Sequence, residues 1–420
     1  MSHPVKLVVR DDLRRSRLTV FFRLLLALPH LVWLVLWGVA AYLAALCNWV
    51  TALAAGTPWR RSHALAARYV RYATHVYAYL YLIANPYPGF VGAAGYPVDV
   101  ELPEPARQNR WITLFRLPLA LPALLLAAAL TSGFATSADW ESSSNQGLGL
   151  LAAAAMLGWF AALALARMPR GLRDAGAYAL SYATQLHAYL LVLTDRYPDS
   201  DPLAALDDVP ADEHPIRLTV DDDLHRSRAT TFFRLLLAIP HFIWLFVWGV
   251  AAFFAVIANW VATLVTGRSP SGLHAFLRDF LRYSTHLWAY VSLAADPYPS
   301  FEGDRPYPVD LVVGDSEPQN RWTVLFRIVL AVPAMLVVNA YSAVWTLATV
   351  LGWFASLARA EMPLGLRNAI ALTLRVNQQL LGYLFVLTDR YPYSGPTTAA
   401  APAEPEPPQF LPPDAYATVA

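Results

Sequence analysis

Residues 16–55 read SRLTVFFRLLLALPHLVWLVLWGVAAYLAALCNWVTALAA. From 21 to 55 this stretch carries one charge, Arg23, in thirty-five residues. About 20 apolar residues suffice to cross a bilayer core, so a run of this length and purity marks a membrane protein. Composition agrees, with 57% hydrophobic and 15% charged residues, against ~25% charged in ordinary soluble domains. The net charge of +1 excludes nucleic acid as a partner, because that binding depends on a basic surface releasing counterions. The single cysteine, Cys47, lies inside the run, so no intramolecular disulfide or thiolate metal cluster forms. Arg14, Arg15 and Arg17 before an apolar run imitate a signal peptide. No small-residue cleavage site follows, and the pattern returns at 226–250, so the N-terminus is expected to be mature.

The stretch is one member of a repeat. Residues 4–90 align without a gap with 215–301, SRLTVFFRLLLALPH (16–30) facing SRATTFFRLLLAIPH (227–241). QNRWITLFRLPLALP (108–122) likewise matches QNRWTVLFRIVLAVP (319–333), and both echo the frame Arg17, Phe22, Arg23, Pro29. The chain therefore divides into unit 1 (1–95), unit 2 (96–199, with a polar insertion at 131–147), an acidic linker (200–214), unit 3 (215–306), unit 4 (307–394) and a tail (395–420) whose Pro, Ala and Glu content predicts disorder.

Each unit opens with alternating residues (PVKLVV, YPVDVEL, PIRLTV, YPVDLVV), the period of a short strand, and four strands are expected to pair as a small sheet. Ser16, Asn109, Ser227 and Asn320 precede the apolar runs as helix N-caps, and each unit ends in Tyr-Pro, at 87–88, 197–198, 298–299 and 391–392. A straight helix over thirty-five residues is about 52 Å long, well beyond the ~30 Å hydrocarbon core. Unit 2 inserts TSGFATSADWESSSNQG (131–147) opposite the Trp37–Gly38 junction, and unit 4 has Asn339-Ala340-Tyr341-Ser342 there. Polar backbone of this kind avoids lipid. The expectation is a helical hairpin per unit, with arms at 18–37 and 38–55 and with Trp33 and Trp37 near the far interface. A third helix, 63–84 in unit 1, repeats polar residues at three- and four-residue spacing. Lying flat in the interface, it leaves the arginines on one side, the cytoplasmic one, as the positive-inside rule requires; spanning, it would turn its polar face into a bundle.

The frame SRLTVFFRLLLALPH, the segment RYATHVYAYLYLIANPYP (71–88) and the paired ends LVLTDRYPDS (190–199) and FVLTDRYPYS (385–394) resemble the bacterial membrane family known as domain of unknown function 4389, over all but the linker and tail. The resemblance implies a membrane protein of four tandem units and brings no catalytic residue with it.

Candidate sites are read from the repeat. Arg17, Arg23, Arg110, Arg116, Arg228, Arg234, Arg321 and Arg327 recur at helix starts, where they either hold lipid phosphates or snorkel to the interface. Arg71, His75, Tyr79, Gln185, Arg282, His286, Tyr290, Arg375 and Gln379 form the polar face of the third helices. His30 and His241 follow the repeated proline, and with His75 and His286 they could ligate haem or relay protons; helical histidines more often satisfy hydrogen bonds, so no cofactor or metal is expected. Pro29, Pro122, Pro240 and Pro333 read as packed kinks before they read as transporter hinges. No phosphate loop, His-Glu-x-x-His pair or nucleophile elbow is present, and intramembrane carboxylates are nearly absent.

The expected fold is an all-α membrane protein with short β-strands, built from helical hairpins, amphipathic helices and a small strand platform. The expected function is non-enzymatic: a multi-pass scaffold or interaction protein of the bacterial plasma membrane, termini cytoplasmic, with partners in the bilayer, anionic lipid and other membrane or cytoplasmic proteins. The competing reading is a transporter or channel with the third helices lining a pathway.

Overall fold

A computed structural model describes residues 3–132, 148–303 and 305–398. Most of the polar insertion and the tail from 399 lie outside the described residues, so the disorder expected of the tail does too. Each unit contributes a strand, a long apolar helix and a third helix of 21 residues. Unit 1 supplies β1 (Lys6–Val9), α1 (Arg17–Phe21), α2 (Arg23–Ala55) and α3 (Arg60–Leu80). Unit 2 supplies β2 (Val98–Glu101), α4 (Arg110–Leu114), α5 (Arg116–Thr131), α6 (Leu150–Leu165) and α7 (Arg170–Leu190). Unit 3 gives β3 (Ile216–Val220), α8 (Arg228–Thr266) and α9 (Ser271–Val291); unit 4 gives β4 (Val309–Val313), α10 (Arg321–Leu325), α11 (Arg327–Arg359) and α12 (Leu364–Leu384).

In units 1, 3 and 4 the expected hairpins are not there; in unit 2 the expected turn lies outside the described residues. α2 and α11 run unbroken for 33 residues and α8 for 39. Three helices are thus long and apolar enough to cross a membrane. Gly38 stays helical because the Tyr69 hydroxyl of α3 packs where a side chain would stand. The 339–342 segment stays helical because its polar groups are met: Ser342 donates to the Asn339 carbonyl at 2.6 Å and Tyr341 to Ser394 O at 2.7 Å. A turn needs unsatisfied backbone with somewhere to go, and none is left. Unit 2 alone interrupts the run, and α7 packs against both α5 and α6, as α3 packs along α2. Trp33 is accordingly mid-surface, its indole N–H donating to Phe90 O at 2.9 Å, and Trp37 packs on Tyr69 and Tyr72.

The third helix lies antiparallel along its long helix, with Arg23 beside Tyr79 and Asn48 beside Ser62. A crossing hairpin combined with a flat third helix is therefore excluded by packing: the two helices share one orientation. The third helix of unit 1 also ends at Leu80, earlier than its Tyr-Pro. In all four units the stop is a left-handed residue, Leu82, Val192, Leu293 or Val386, with φ between 61° and 65°. Such backbone is costly for a side chain carrying Cβ. Long-range hydrogen bonds to the carbonyls around each stop offset that cost, as described below.

The strands pair across units as two separate antiparallel ribbons rather than one sheet, β1 with β2 (Lys6 facing Glu101) and β3 with β4 (Ile216 facing Val313). The linker keeps them apart. Its Asp207 pairs with Lys6 of β1, its Ala205 and Leu206 are buried, and Ala211 bridges Thr398. Units also clasp at the helix ends: Gln108 N donates to Gly56 O and Gln319 N to Gly267 O, at 2.9 and 2.8 Å. The two halves share one core in which Tyr341 and Val344 of α11 meet Leu126, Leu130 and Leu151 of α5 and α6.

Candidate functional site

The eight arginines at helix starts divide into two sets. Arg23, Arg116, Arg234 and Arg327 are buried, and each guanidinium lies over a tyrosine ring of the third helix: Tyr79, Tyr189, Tyr290 and Tyr383, at 4.4 to 4.5 Å from the centroid. Each also donates to the carbonyls that the helix stop leaves open. Arg234 Nη1 reaches Tyr290 O at 2.6 Å and Ala295 O at 2.8 Å, and Arg327 Nη1 reaches Tyr383 O at 2.6 Å and Thr388 O at 3.1 Å. Arg23 and Arg116 repeat this on Tyr79 and Ala84, and on Tyr189 and Thr194. A cation on a helix C-terminus is favourable twice over, through the dipole and through the orphan carbonyls. These four hold protein oxygens where a lipid phosphate would bind.

Arg17, Arg110, Arg228 and Arg321 are exposed. The first three donate to Ala164, Ala54 and Ala358 carbonyls at 2.9 Å, capping the long helix of the neighbouring unit. Asn109 and Asn320 cap their helices through side-chain oxygens, whereas Ser16 and Ser227 occupy the cap position without a side-chain bond.

The polar face of the third helices is turned to the strands. His75 Nε2 lies 2.9 Å from Asp99 of β2 and His286 Nε2 2.7 Å from Asp310 of β4. A carboxylate accepts only, so Nε2 carries the proton in both. Arg71 and Arg282 approach the same carboxylates at 3.3 and 2.6 Å. Gln185 and Gln379 take the equivalent place under β1 and β3, donating to Val5 O and Ile216 O at 3.3 and 3.0 Å and accepting from Asp199 N and Tyr393 N. Arg375 is buried among Asp212, Thr397, Tyr393 and Gly395. Tyr79 and Tyr290 face their arginines. His30 and His241 bond the Tyr72 and Tyr283 hydroxyls at 2.8 and 2.9 Å and stack on Phe90 and Phe301, whereas His75 and His286 bond Asp99 and Asp310.

Sequence reading missed Arg15 with Asp11 and Arg226 with Asp222, bidentate pairs whose side chains are 0 to 2% exposed. Arg15 also donates to Leu82 O and Ile83 O, and Arg226 to Leu293 O and Ala294 O, beside the strained stops. The repeated DDLRRSR and DDLHRSR carried that signal. Asp99 and Asp310 were likewise legible only as part of strands.

Burial pushes the Asp99 and Asp310 carboxyls up, but hydrogen bonds from neighbouring backbone amides, the histidines and, for Asp310, Arg282 outweigh it, so both end below the usual carboxylate range. Burial lowers His75, outweighing its bond to Asp99. All three groups are depressed on folding, so each contributes stability that is full above its unfolded pKa and lost as pH falls. A first decline is expected as pH drops through the histidine range, about 6.5, and a steeper one below the unfolded aspartate value, about 4. Thermal unfolding of the purified protein from pH 8 to pH 3 checks this, and Asp310→Asn should flatten the acid arm.

The family model described as Domain of unknown function (DUF4389) matches the chain four times, over residues 17–92, 147–200, 228–302 and 321–394. No curated protein and no solved structure matches.

Proposed function

The chain belongs to the domain of unknown function 4389 family, whose description assigns no activity, and we propose that it is a non-enzymatic membrane scaffold whose long helices lie along one leaflet. One observation carries the reading. Halfway along α9, Arg278 and Asp279 form a 2.9 Å ion pair with side chains 43% and 47% exposed. Their neighbours Phe276 and Phe280 pack on Trp248, in the middle of α8. Were α8 and α9 to cross a bilayer, this exposed pair would sit at mid-depth, where a charge costs roughly 3 kcal/mol or more.

The strand ribbons agree. Asp99 and Asp310 contact α3 and α9 from Arg71 and Arg282 near their middles to His75 and His286 in their last third, so in a crossing orientation open strand edges would face lipid, where they do not occur. The outer face of the long helices is apolar from end to end, with Leu24 73%, Phe246 73% and Ile328 71% exposed. Laid flat, that face fills the acyl region of one leaflet, and the third helices and ribbons form a platform in water for other proteins. Arg17, Arg110, Arg228 and Arg321 then stand at the ends of the layer, at the level of anionic headgroups, and their positive charge favours the cytoplasmic leaflet of a bacterial plasma membrane.

Single cysteines at Ser227 and Arg268, flanking α8, test this in a Cys47→Ser background. Both should react with an impermeant maleimide from the same side of sealed vesicles; reaction from opposite sides would overturn the in-plane reading in favour of a spanning, transporter-like bundle. Replacing the four exposed arginines by Gln should reduce co-purifying anionic lipid, and unchanged lipid would remove the headgroup role.

A further inference from the structure

A cavity of about 500 Å³ opens between β3, α12, the linker and the segment 396–398. Three arginines line it, Arg217, Arg367 and Arg375, together with Asp212, to which Arg375 is already paired. Arg367 is 9% exposed, and its Nε has no hydrogen-bond partner among the described residues. A buried Nε–H without an acceptor is costly, and the attraction of Asp222 and Asp201 reaches this guanidinium only without a direct bond.

The duplication supplies an explanation. In the first half, α7 carries Arg173 followed by Asp174, paired at 2.6 Å, and β1 carries Lys6 paired with Asp207 of the linker. In the second half, the positions equivalent to Arg173 and Lys6 are Arg367 and Arg217, but Asn368 stands where the carboxylate stood. Neither Arg367 nor Arg217 makes an ion pair among the described residues. The other charges nearby are already engaged: Asp212 with Arg375, Asp222 with Arg226, and Asp201 with Asn368 and the Leu203 amide. Two matched positions are thus ion-paired in one half, while in the other they face a cavity and make no ion pair among the described residues.

From this geometry we infer that the cavity binds a soluble phosphomonoester. Two guanidinium forks suit the oxygens of a dianion, and Thr397, whose hydroxyl accepts from Arg375, has its own proton left to donate. Leu203, Leu218 and Val312 offer an apolar wall for the organic part, and the volume lies within the range of small-molecule sites. The site lies on the strand side of the fold, away from the exposed apolar helices, which points to a free ligand and away from a lipid headgroup. It does not depend on how the long helices sit in the bilayer.

The test is titration of the purified full chain in neutral detergent with inorganic phosphate and glycerol phosphate at constant ionic strength, read by calorimetry and thermal unfolding. Saturable binding and a raised Tm are expected, with chloride giving neither. Arg367→Gln should weaken binding at least about tenfold. Asn368→Asp combined with Asp201→Asn exchanges the two ends of the existing Asp201–Asn368 bond and gives Arg367 the adjacent carboxylate of the first half; it should weaken binding as much while leaving ligand-free Tm unchanged or higher, which separates loss of the site from loss of the fold. Absence of saturable binding, or affinity unchanged in this double variant, overturns the proposal. So does binding of succinate in preference to phosphate, or of phosphatidic acid in nanodiscs when free phosphate does not bind.

Discussion

Replacing Arg234 with Met is expected to destabilise the protein by about 3 to 5 kcal/mol, read as a large fall in thermal unfolding temperature in detergent. The side chain is 2% exposed, lies over Tyr290 and donates to Tyr290 O, Ala295 O and Asp296. Methionine fills most of the volume but leaves two buried carbonyls and a partly buried carboxylate without donors, each worth about 1 to 3 kcal/mol. It also releases the helix end at Leu293, whose left-handed backbone is held in place by these bonds. The same change at exposed Arg228, which makes one bond to Ala358 O, should cost under about 1 kcal/mol. Equal effects at the two positions would mean that the inner arginines are not clamps.

Asp222→Ala should be comparably severe. Asp222 and Arg226 are bonded at 2.7 and 3.0 Å with side chains 2% and 0% exposed. Removing the carboxylate leaves a buried guanidinium charge held only by carbonyls, a loss of about 3 to 5 kcal/mol by analogy with other broken buried pairs. The double replacement Asp222→Ala with Arg226→Met should recover part of that loss, since replacing both partners by apolar groups is far less costly than stranding one. A double variant no better than the single one would locate the penalty in packing.

Much of the architecture was legible from residue order. The four-unit repeat, the helix starts at Arg17, Arg110, Arg228 and Arg321 and the strand at the head of each unit follow from periodicity and capping chemistry, which act within a few residues. The recurrence of arginine six residues into each helix was also visible, but its purpose was not. Arg23 and the oxygens it binds are 56 and 61 residues apart, and no local pattern encodes such a distance.

The apolar run that begins near Phe21 and ends at Ala55 shows the boundary between the two kinds of information. By itself it marked a segment long and apolar enough to cross a membrane, because thirty-five residues holding one charge are poorly solvated by water. It could not fix whether the run turns back, since an apolar helix and an apolar hairpin satisfy hydropathy equally. Tertiary structure decided that: α3 lies antiparallel along α2 and engages it from Arg23 to Asn48, so an unbroken helix, short only of the bond that Pro29 cannot donate, gains a continuous partner. Arginine partners and strand pairing between units were decided there as well, because each depends on groups that only the folded chain brings together.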